Sequence, residues 1–193
     1  MTEHPQLNSF RSGRKLVLLK DVTISALVER ELGGERVPEP VGIRAAQGKT
    51  YRQIHEEIRA AKRHAPDRLG SLSGMGWVRF IPGFLLRAFI RLASRSLRMA
   101  ERYGKVCVTA VGMFGEGPLW FVLHGGAMVL ATVGAIVERP VLIDGRLEAR
   151  EQLCLTVSFD HAIVDGAPAA RFMRRLKEML SSGELLLEPR AAS

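Results

Sequence analysis

His161 and Asp165 are the residues of this chain whose types and spacing most directly indicate chemistry. They stand in the pattern His-x-x-x-Asp-Gly, at the end of an apolar run that begins at Leu153. That run is rich in β-branched residues, which predicts a strand, and Pro168 indicates that a helix begins soon afterwards. An imidazole at a strand end is held rigidly and can accept and return a proton near neutral pH. His161 is therefore the first candidate for an acid–base catalyst, and Asp165 is placed to tie down the turn.

The residues around His161 resemble the closing signature of a known enzyme family. In the dihydrolipoyl acyltransferases of 2-oxoacid dehydrogenase complexes, this signature runs Leu-Ser-Leu-Ser-x-Asp-His-Arg-x-x-Asp-Gly-Ala-x-Ala-Ala-x-Phe. The matching residues here are 155–161, 165–167 and 169–172. A second block, residues 107–115, resembles the family's Thr-Ile-Ser-Asn-Leu-Gly-x-Phe-Gly strand. The resemblance is dense between residues 106 and 180 and faint before them.

The resemblance implies an α+β fold in which helices flank a mixed β-sheet, as in chloramphenicol acetyltransferase. It also implies a homotrimer whose active sites lie between subunits. His161 is then the general base from one chain, and the Thr109 hydroxyl is the oxyanion donor from the next. Acyl transfer needs both functions, because a base removes the acceptor's proton and a donor stabilises the tetrahedral oxyanion. Asp165 and Gly166 are expected to shape the turn, with the aspartate held by an arginine.

The activity implied is transfer of an acyl group between coenzyme A and a thiol, amine or hydroxyl acceptor that the sequence does not identify. Acyl-CoA is thus the expected substrate, a separate lipoyl group or small molecule is the acceptor, and no lipoyl group is attached to this chain. No metal is expected, because the sequence lacks zinc-ligand spacing and His-Glu-x-x-His. His124, beside Gly125-Gly126, is a further candidate for the lining of the substrate channel.

Two departures from the family pattern leave an alternative open. The arginine that follows the family's histidine is Ala162 here, and the asparagine after the oxyanion hydroxyl is Ala110. These changes fit altered contacts with coenzyme A or the acceptor. They also fit a catalytically silent oligomeric scaffold or regulator on the same fold. Retention of both His161 and Thr109 favours the enzyme.

Length and composition predict one globular domain. The chain has 193 residues, of which 47% are hydrophobic and 25% charged. We expect a flexible N-terminal arm over residues 1–13 and a single acyltransferase-like domain over residues 14–193, with no lipoyl or subunit-binding domain. The first twenty residues contain no apolar segment of signal length, which favours the cytoplasm. Cys107 and Cys154 are accordingly expected to be free thiols.

The formal charge of +8 admits several anionic partners. Nucleic acid is not the expected one, because the 2 Trp, 2 Tyr and 8 Phe lie mostly in apolar runs and form no platform for stacked bases. Coenzyme A is itself a polyanion that basic side chains would attract. Contact with a membrane surface through residues 77–99 is a further alternative. That segment is predicted to be an amphipathic helix, with Arg87, Arg91 and Arg95 at four-residue spacing.

The remaining patterns predict the elements that position these residues. Thr50 and Gln53 form a capping box at the start of a helix, and Asp144-Gly145 is the two-residue signal of a tight hairpin. Gly183 marks the end of the last helix. The predicted strands are 105–111, 127–137, 141–143, and 147–159 with a break near residue 151. We further predict a helix over 25–32, a loop between Pro38 and Pro40, an edge strand over 41–46, a linker over 70–76 and a helix over 167–181.

Overall fold

The core of the molecule is a five-stranded mixed sheet, accompanied by a separate two-stranded sheet. The computed structural model describes residues 1, 3–32, 35–63, 82–94, 96–112, 117–122 and 126–183. The strands are β1 (Ser9–Ser12), β2 (Lys15–Leu18), β3 (Ile24–Leu32), β4 (Glu35–Ile43), β5 (Val106–Ala110), β6 (Val129–Ile143) and β7 (Arg146–Phe159). The helices are α1 (Tyr51–Arg63), α2 (Gly83–Ser94), α3 (Leu97–Tyr103) and α4 (Gly166–Ser182). The predicted α+β class is therefore confirmed.

Strand pairing makes the sheet mixed. The central strand β5 runs parallel to both β3 and β6, whereas β4 and β7 pair antiparallel at the two edges. The β6–β7 hairpin turns at Asp144 and Gly145, which have φ of 48° and 79°. Positive φ at both central residues is what a tight two-residue turn requires, so the prediction from the Asp-Gly pair is confirmed. The strands β6 and β7 are continuous, and the predicted interruptions at residues 138–140 and 151 are wrong.

One face of the sheet is covered by α4 and by the N-terminal segment. Val106, Val129 and Val164 belong to the buried core cluster, and Phe172 of α4 packs against it. The Phe159 and Phe172 rings meet edge to face at 5.8 Å between centroids. Apolar residues on alternate strand positions thus meet an apolar stripe of the helix, and burial of these side chains is the main favourable term in folding.

Residues 7–10 are buried, so the prediction of a flexible arm over residues 1–13 is wrong. Pro5–Leu7 form a 3-10 turn and Ser9–Ser12 form β1. Leu7 is completely buried, and the Asn8 side-chain amide donates hydrogen bonds to the carbonyls of Leu19 and Asp21. The segment is mostly polar, so its composition does not indicate that Leu7 and Asn8 are buried or that Asn8 anchors the chain.

The segment 24–32 is a strand, and the predicted helix over 25–32 is wrong. β3 pairs with β4 along its whole length and with β5 at its start, so the sheet supplies backbone partners on both sides. The predicted loop at Pro38 and Pro40 is also wrong, because both prolines lie inside β4, the strand at the sheet's edge. An edge strand tolerates proline, since one row of its N–H groups is not needed for the ladder.

The capping box at the start of α1 is confirmed in both directions. The Thr50 N–H donates to Gln53 Oε1 at 2.9 Å, and the Gln53 N–H donates to Thr50 Oγ1 at 3.3 Å. The predicted single helix over 77–99 is wrong in its extent. The described part of that segment forms two helices, α2 and α3, with Ser96 as the N-cap of the second. The predicted linker at 70–76 lies outside the described residues.

The two cysteines are free thiols, as predicted. Cys107 lies on β5 and Cys154 on β7, with β6 between them. Two strand spacings exceed the separation that a disulfide can bridge.

Gly112 lies tightly against the backbone of Gly134, just after β5. A Cβ atom on Gly112 would collide with the Gly134 carbonyl, whereas a Cβ on Gly48 would meet nothing within 4 Å. We therefore expect Gly112→Ala to lower the free energy of unfolding by about 1–3 kcal/mol, the usual cost of overpacking. Gly48→Ala is the matched control and should unfold like the wild type. Denaturant unfolding followed by circular dichroism measures both, and equal midpoints would contradict the close approach.

Candidate active site

His161 lies on an ordered turn between β7 and α4. The Asp160 carbonyl accepts hydrogen bonds from the Ile163 and Val164 N–H groups at 3.0 and 3.1 Å, and Asp160 Oδ1 accepts one from the Ala162 N–H at 3.0 Å. The Asp160 N–H donates to the Met128 carbonyl at the start of β6. These bonds fix the turn to the sheet, while the His161 side chain is exposed. The imidazole is therefore presented on a rigid backbone.

Asp160, rather than Asp165, ties this turn together. Asp165 is the N-cap residue of α4, but its exposed side chain makes no capping hydrogen bond, and no arginine among the described residues pairs with it. Gly166 has no positive φ, and a Cβ atom on it would meet nothing within 4 Å. The contacts within the described part of one chain therefore do not require an aspartate at position 165 or a glycine at position 166.

Thr109 lies on β5 in a row of three hydroxyls that crosses the sheet. Thr109 pairs with Thr132 of β6, and Thr132 pairs with Thr156 of β7. Residues paired in this way point to the same side of a sheet. This side is opposite the α4-covered core, because the core residues Val106 and Val129 lie on the alternate positions. Thr109 is 6% exposed and Thr132 is 2% exposed, so these two hydroxyls are buried, whereas Thr156 is half-buried.

Thr132 and Thr156 were missed from the sequence because a β-bulge sets their register. Counting back from the Asp144-Gly145 turn without a bulge would place Thr132 opposite Val157. A register shift between Val133 and Ile136 adds one residue to β6 and brings Thr132 opposite Thr156. Gly134 within the strand is the only sequence signal for this bulge.

Thr109 and His161 are far apart within one chain. The row containing Thr109 crosses β7 at Thr156, five residues before His161. Two strand spacings across the sheet and five residues along it correspond to roughly 19 Å between Cα atoms. No side chains of these lengths meet over that separation. A site that uses both residues therefore needs two chains.

Cys107 is a poor candidate for a nucleophile at this site. It lies two residues before Thr109 on the same side of β5. Burial raises the pKa of the Cys107 thiol, because the thiolate loses its hydration in an apolar environment. The thiol therefore stays protonated at neutral pH and does not offer the charged sulfur that attacks an acyl group.

The other candidate positions add little within the described residues. His124 lies outside them. Ala110 and Ala162, which replace polar residues of the family pattern, are both exposed. No group of three or more metal-ligating side chains occurs in the part of the chain that the structure describes.

A basic cleft of about 520 Å³ lies between β2, the end of β4 and α3. Its charged lining residues are Lys20, Asp21, Arg44, Arg98, Glu101 and Arg102. Four cationic side chains against two carboxylates favour an anionic ligand. Thr23, also in the lining, directly precedes β3.

Curated relatives of this chain are acyltransferase components. The lipoamide acyltransferase component of the branched-chain alpha-keto acid dehydrogenase complex of Bacillus subtilis (strain 168) is 27% identical over 183 residues, covering 94% of this chain and 36% of that protein. A dihydrolipoyllysine-residue acetyltransferase component of the pyruvate dehydrogenase complex from Staphylococcus epidermidis is 31% identical over 100 residues, covering 51% of this chain and 23% of that protein. This chain thus spans about a third or less of the relatives' length.

Solved structures show the same fold. The probable dihydrolipoamide acetyltransferase from Listeria monocytogenes superposes with a TM-score of 0.64 at 23% identity, covering 99% of this chain and 68% of that one. The dihydrolipoamide acetyltransferase of Azotobacter vinelandii gives 0.59 at 23% identity, covering 96% of this chain and 65% of that one.

The family model described as "2-oxoacid dehydrogenases acyltransferase (catalytic domain)" matches residues 89–188. The match includes β5, β6, β7 and α4, and with them both Thr109 and His161. Because it covers more than half of the chain, this protein belongs to the family of 2-oxoacid dehydrogenase acyltransferase catalytic domains.

Proposed function

We propose that this chain is a coenzyme A-dependent acyltransferase in which His161 is the general base and Thr109 is the oxyanion donor. The observation that carries the proposal is the joint presence of an exposed imidazole on a fixed turn and a buried strand hydroxyl, both within the family match. These are the two functions that acyl transfer requires.

The separation of these residues along the chain supports their roles. The work on the Azotobacter vinelandii structure concerns a serine, a histidine and an asparagine in the catalytic mechanism of that enzyme. The serine and histidine there are separated by the same number of residues as Thr109 and His161, and the histidine and asparagine by the same number as His161 and Asp165. Threonine retains the serine hydroxyl, and aspartate retains one oxygen acceptor of asparagine.

His161 and Thr109 together supply the proton transfers and the oxyanion stabilisation that the reaction needs. The neutral His161 imidazole takes the proton of the acceptor's thiol, amine or hydroxyl as that atom attacks the thioester carbonyl. The Thr109 hydroxyl donates a hydrogen bond to the resulting oxyanion. Collapse of the tetrahedral intermediate breaks the carbon–sulfur bond, and His161 returns the proton to the departing coenzyme A thiolate. A dihydrolipoyl thiol is the first acceptor to test, because the curated relatives are named for lipoyl substrates.

The proposed assembly is a homotrimer with sites shared between neighbouring chains. The separation of roughly 19 Å between Thr109 and His161 within one chain supports this arrangement. A closed ring with a head-to-tail interface brings the same two surfaces together at every contact. Each of the three interfaces would then hold one His161 and one Thr109.

A mixture of two inactive variants tests the shared site. When His161→Ala and Thr109→Val chains are co-expressed equally, only an interface joining an intact His161 to an intact Thr109 is active. Random assembly gives about one quarter of the wild-type activity per site. The measurement is coenzyme A release from acetyl-CoA and branched short-chain acyl-CoA donors with dihydrolipoamide as acceptor. Activity no greater than that of the separate variants, in a mixed assembly verified by mass, would exclude the shared site.

Measurements on the wild type alone distinguish the enzyme from the alternative of a catalytically silent scaffold or regulator. Ala110 and Ala162 favour it, because they remove two polar groups of the family pattern. A wild-type trimer, its mass established by light scattering, that turns over none of the acyl-CoA donors with thiol, amine or hydroxyl acceptors would support the scaffold. Turnover that depends on His161 would exclude it.

A further inference from the structure

The helix α2 presents large apolar side chains to solvent. Phe84 is 70% exposed and Leu92 is 72% exposed, and Leu85 and Ala88 are exposed beside them. Phe84, Ala88 and Leu92 recur every four residues, so they form one stripe along the helix. Leu97, the first residue of the next helix, is also exposed. Such a contiguous stripe indicates an interaction surface rather than scattered exposed residues.

Arginines border this stripe. Arg87 and Arg91 are exposed and lie one helical turn apart, and Gly83–Ser94 contains no acidic residue. Leu97 and Arg98, at the start of α3, belong to the lining of the basic cleft. The helix that follows α2 in the chain thus lines a cleft with an excess of positive charge.

We infer that α2 and the basic cleft form a docking surface for an anionic phospholipid bilayer. Phe84, Leu85 and Leu92 would enter the boundary between headgroups and acyl chains, while Arg87, Arg91 and the cleft would face the phosphates. Large apolar side chains beside arginines, on a helix that contains no acidic residue, are typical of a helix that lies in a membrane interface. Across the described residues, no helix is both long and apolar enough to cross a bilayer.

Charge favours a lipid surface over a second copy of this chain. Arg87 and Arg91 are both exposed on α2, so a second copy docked through the same helix would bring these positive charges together. The negative surface potential of an anionic leaflet instead attracts each exposed arginine. This inference goes beyond the proposed acyl transfer and is measured without any acyl donor, so either proposal can fail without the other.

Vesicle co-sedimentation of the full chain tests the docking surface. The protein should bind phosphatidylcholine vesicles containing phosphatidylglycerol and bind pure phosphatidylcholine vesicles much more weakly. Raising salt from about 0.1 M to about 1 M should weaken binding, because the Debye length falls from about 10 Å to about 3 Å. Arg87→Glu/Arg91→Glu should reduce affinity by roughly thirtyfold or more, since each basic residue near the surface contributes about fivefold.

Matched variants distinguish the loss of this surface from a change in net charge and from a loss of folding. Arg146→Glu/Lys177→Glu changes net charge equally at two exposed sites away from α2 and should lose much less affinity. Phe84→Ala/Leu92→Ala removes the apolar stripe and keeps the charge, and it should also lose binding while its circular dichroism stays that of the wild type. Equal losses in both charge variants, or no binding to anionic vesicles, would overturn the inference. Dissociation of the oligomer in Phe84→Ala/Leu92→Ala would instead assign the stripe to a second copy.

Discussion

His161→Ala is expected to reduce acyl transfer from acyl-CoA by about a hundredfold to ten-thousandfold, the usual cost of losing a general base. The side chain is exposed, and the turn that carries it is held by the backbone and the side chain of Asp160. Its removal should therefore leave folding nearly unchanged. Coenzyme A release at saturating donor, with and without acceptor, measures the effect.

His55→Ala is the matched control for this variant. His55 is also an exposed histidine, but it lies on α1, and sequence and family resemblance both leave it out of the site. It should retain wild-type turnover. Equal turnover in His161→Ala and wild type, both well above the uncatalysed rate, would show that His161 is not the base.

Thr109→Val is expected to slow the chemical step by on the order of a hundredfold to a thousandfold, equivalent to about 3–4 kcal/mol. Valine keeps the β-branched shape and fits the same strand position, so only the hydroxyl is lost. The loss should appear in kcat, with little change in coenzyme A affinity, because the oxyanion exists only along the reaction path. Single-turnover kinetics measure the chemical step, and isothermal titration with coenzyme A measures the affinity.

Two companion variants identify the hydroxyl that matters. Thr109→Ser keeps a hydroxyl at this position and should retain much of the activity. Thr132→Val removes the neighbouring hydroxyl of the same row, which is equally buried in the sheet, and should cost far less turnover. The oxyanion role is excluded if Thr109→Val matches wild type, or if a correctly folded Thr109→Ser is as slow as Thr109→Val.

Several features follow from local sequence because local chemistry creates them. Thr50 and Gln53 begin α1 through reciprocal hydrogen bonds between residues three apart. Gly183, in the left-handed conformation, ends α4. The Asp144-Gly145 pair turns the long hairpin because these residues accept positive φ at low cost. The family pattern around His161 is similarly local, so it indicates the family without reference to any tertiary contact.

The segments predicted wrongly are those whose state depends on distant partners. Residues 25–32 are compatible with a helix, but backbone pairing with β4 and β5 makes them a strand. Residues 5–12 look like a polar arm, but Leu7 and the Asn8 side chain find partners in the core and beyond β2.

Local residue patterns are enough to predict the family, the hairpin, the last helix and the two candidate residues, His161 and Thr109. The relation of these residues in space depends on strand pairing, which local patterns do not specify. The bulge at Gly134 sets the register that aligns Thr132 with Thr156, because one extra residue in β6 shifts every β6–β7 pair beyond it. The parallel pairing of β5 with β6 adds Thr109 to this row. The same register separates Thr109 from His161 by roughly 19 Å, since distance in a sheet follows strand order and rise per residue rather than motif content.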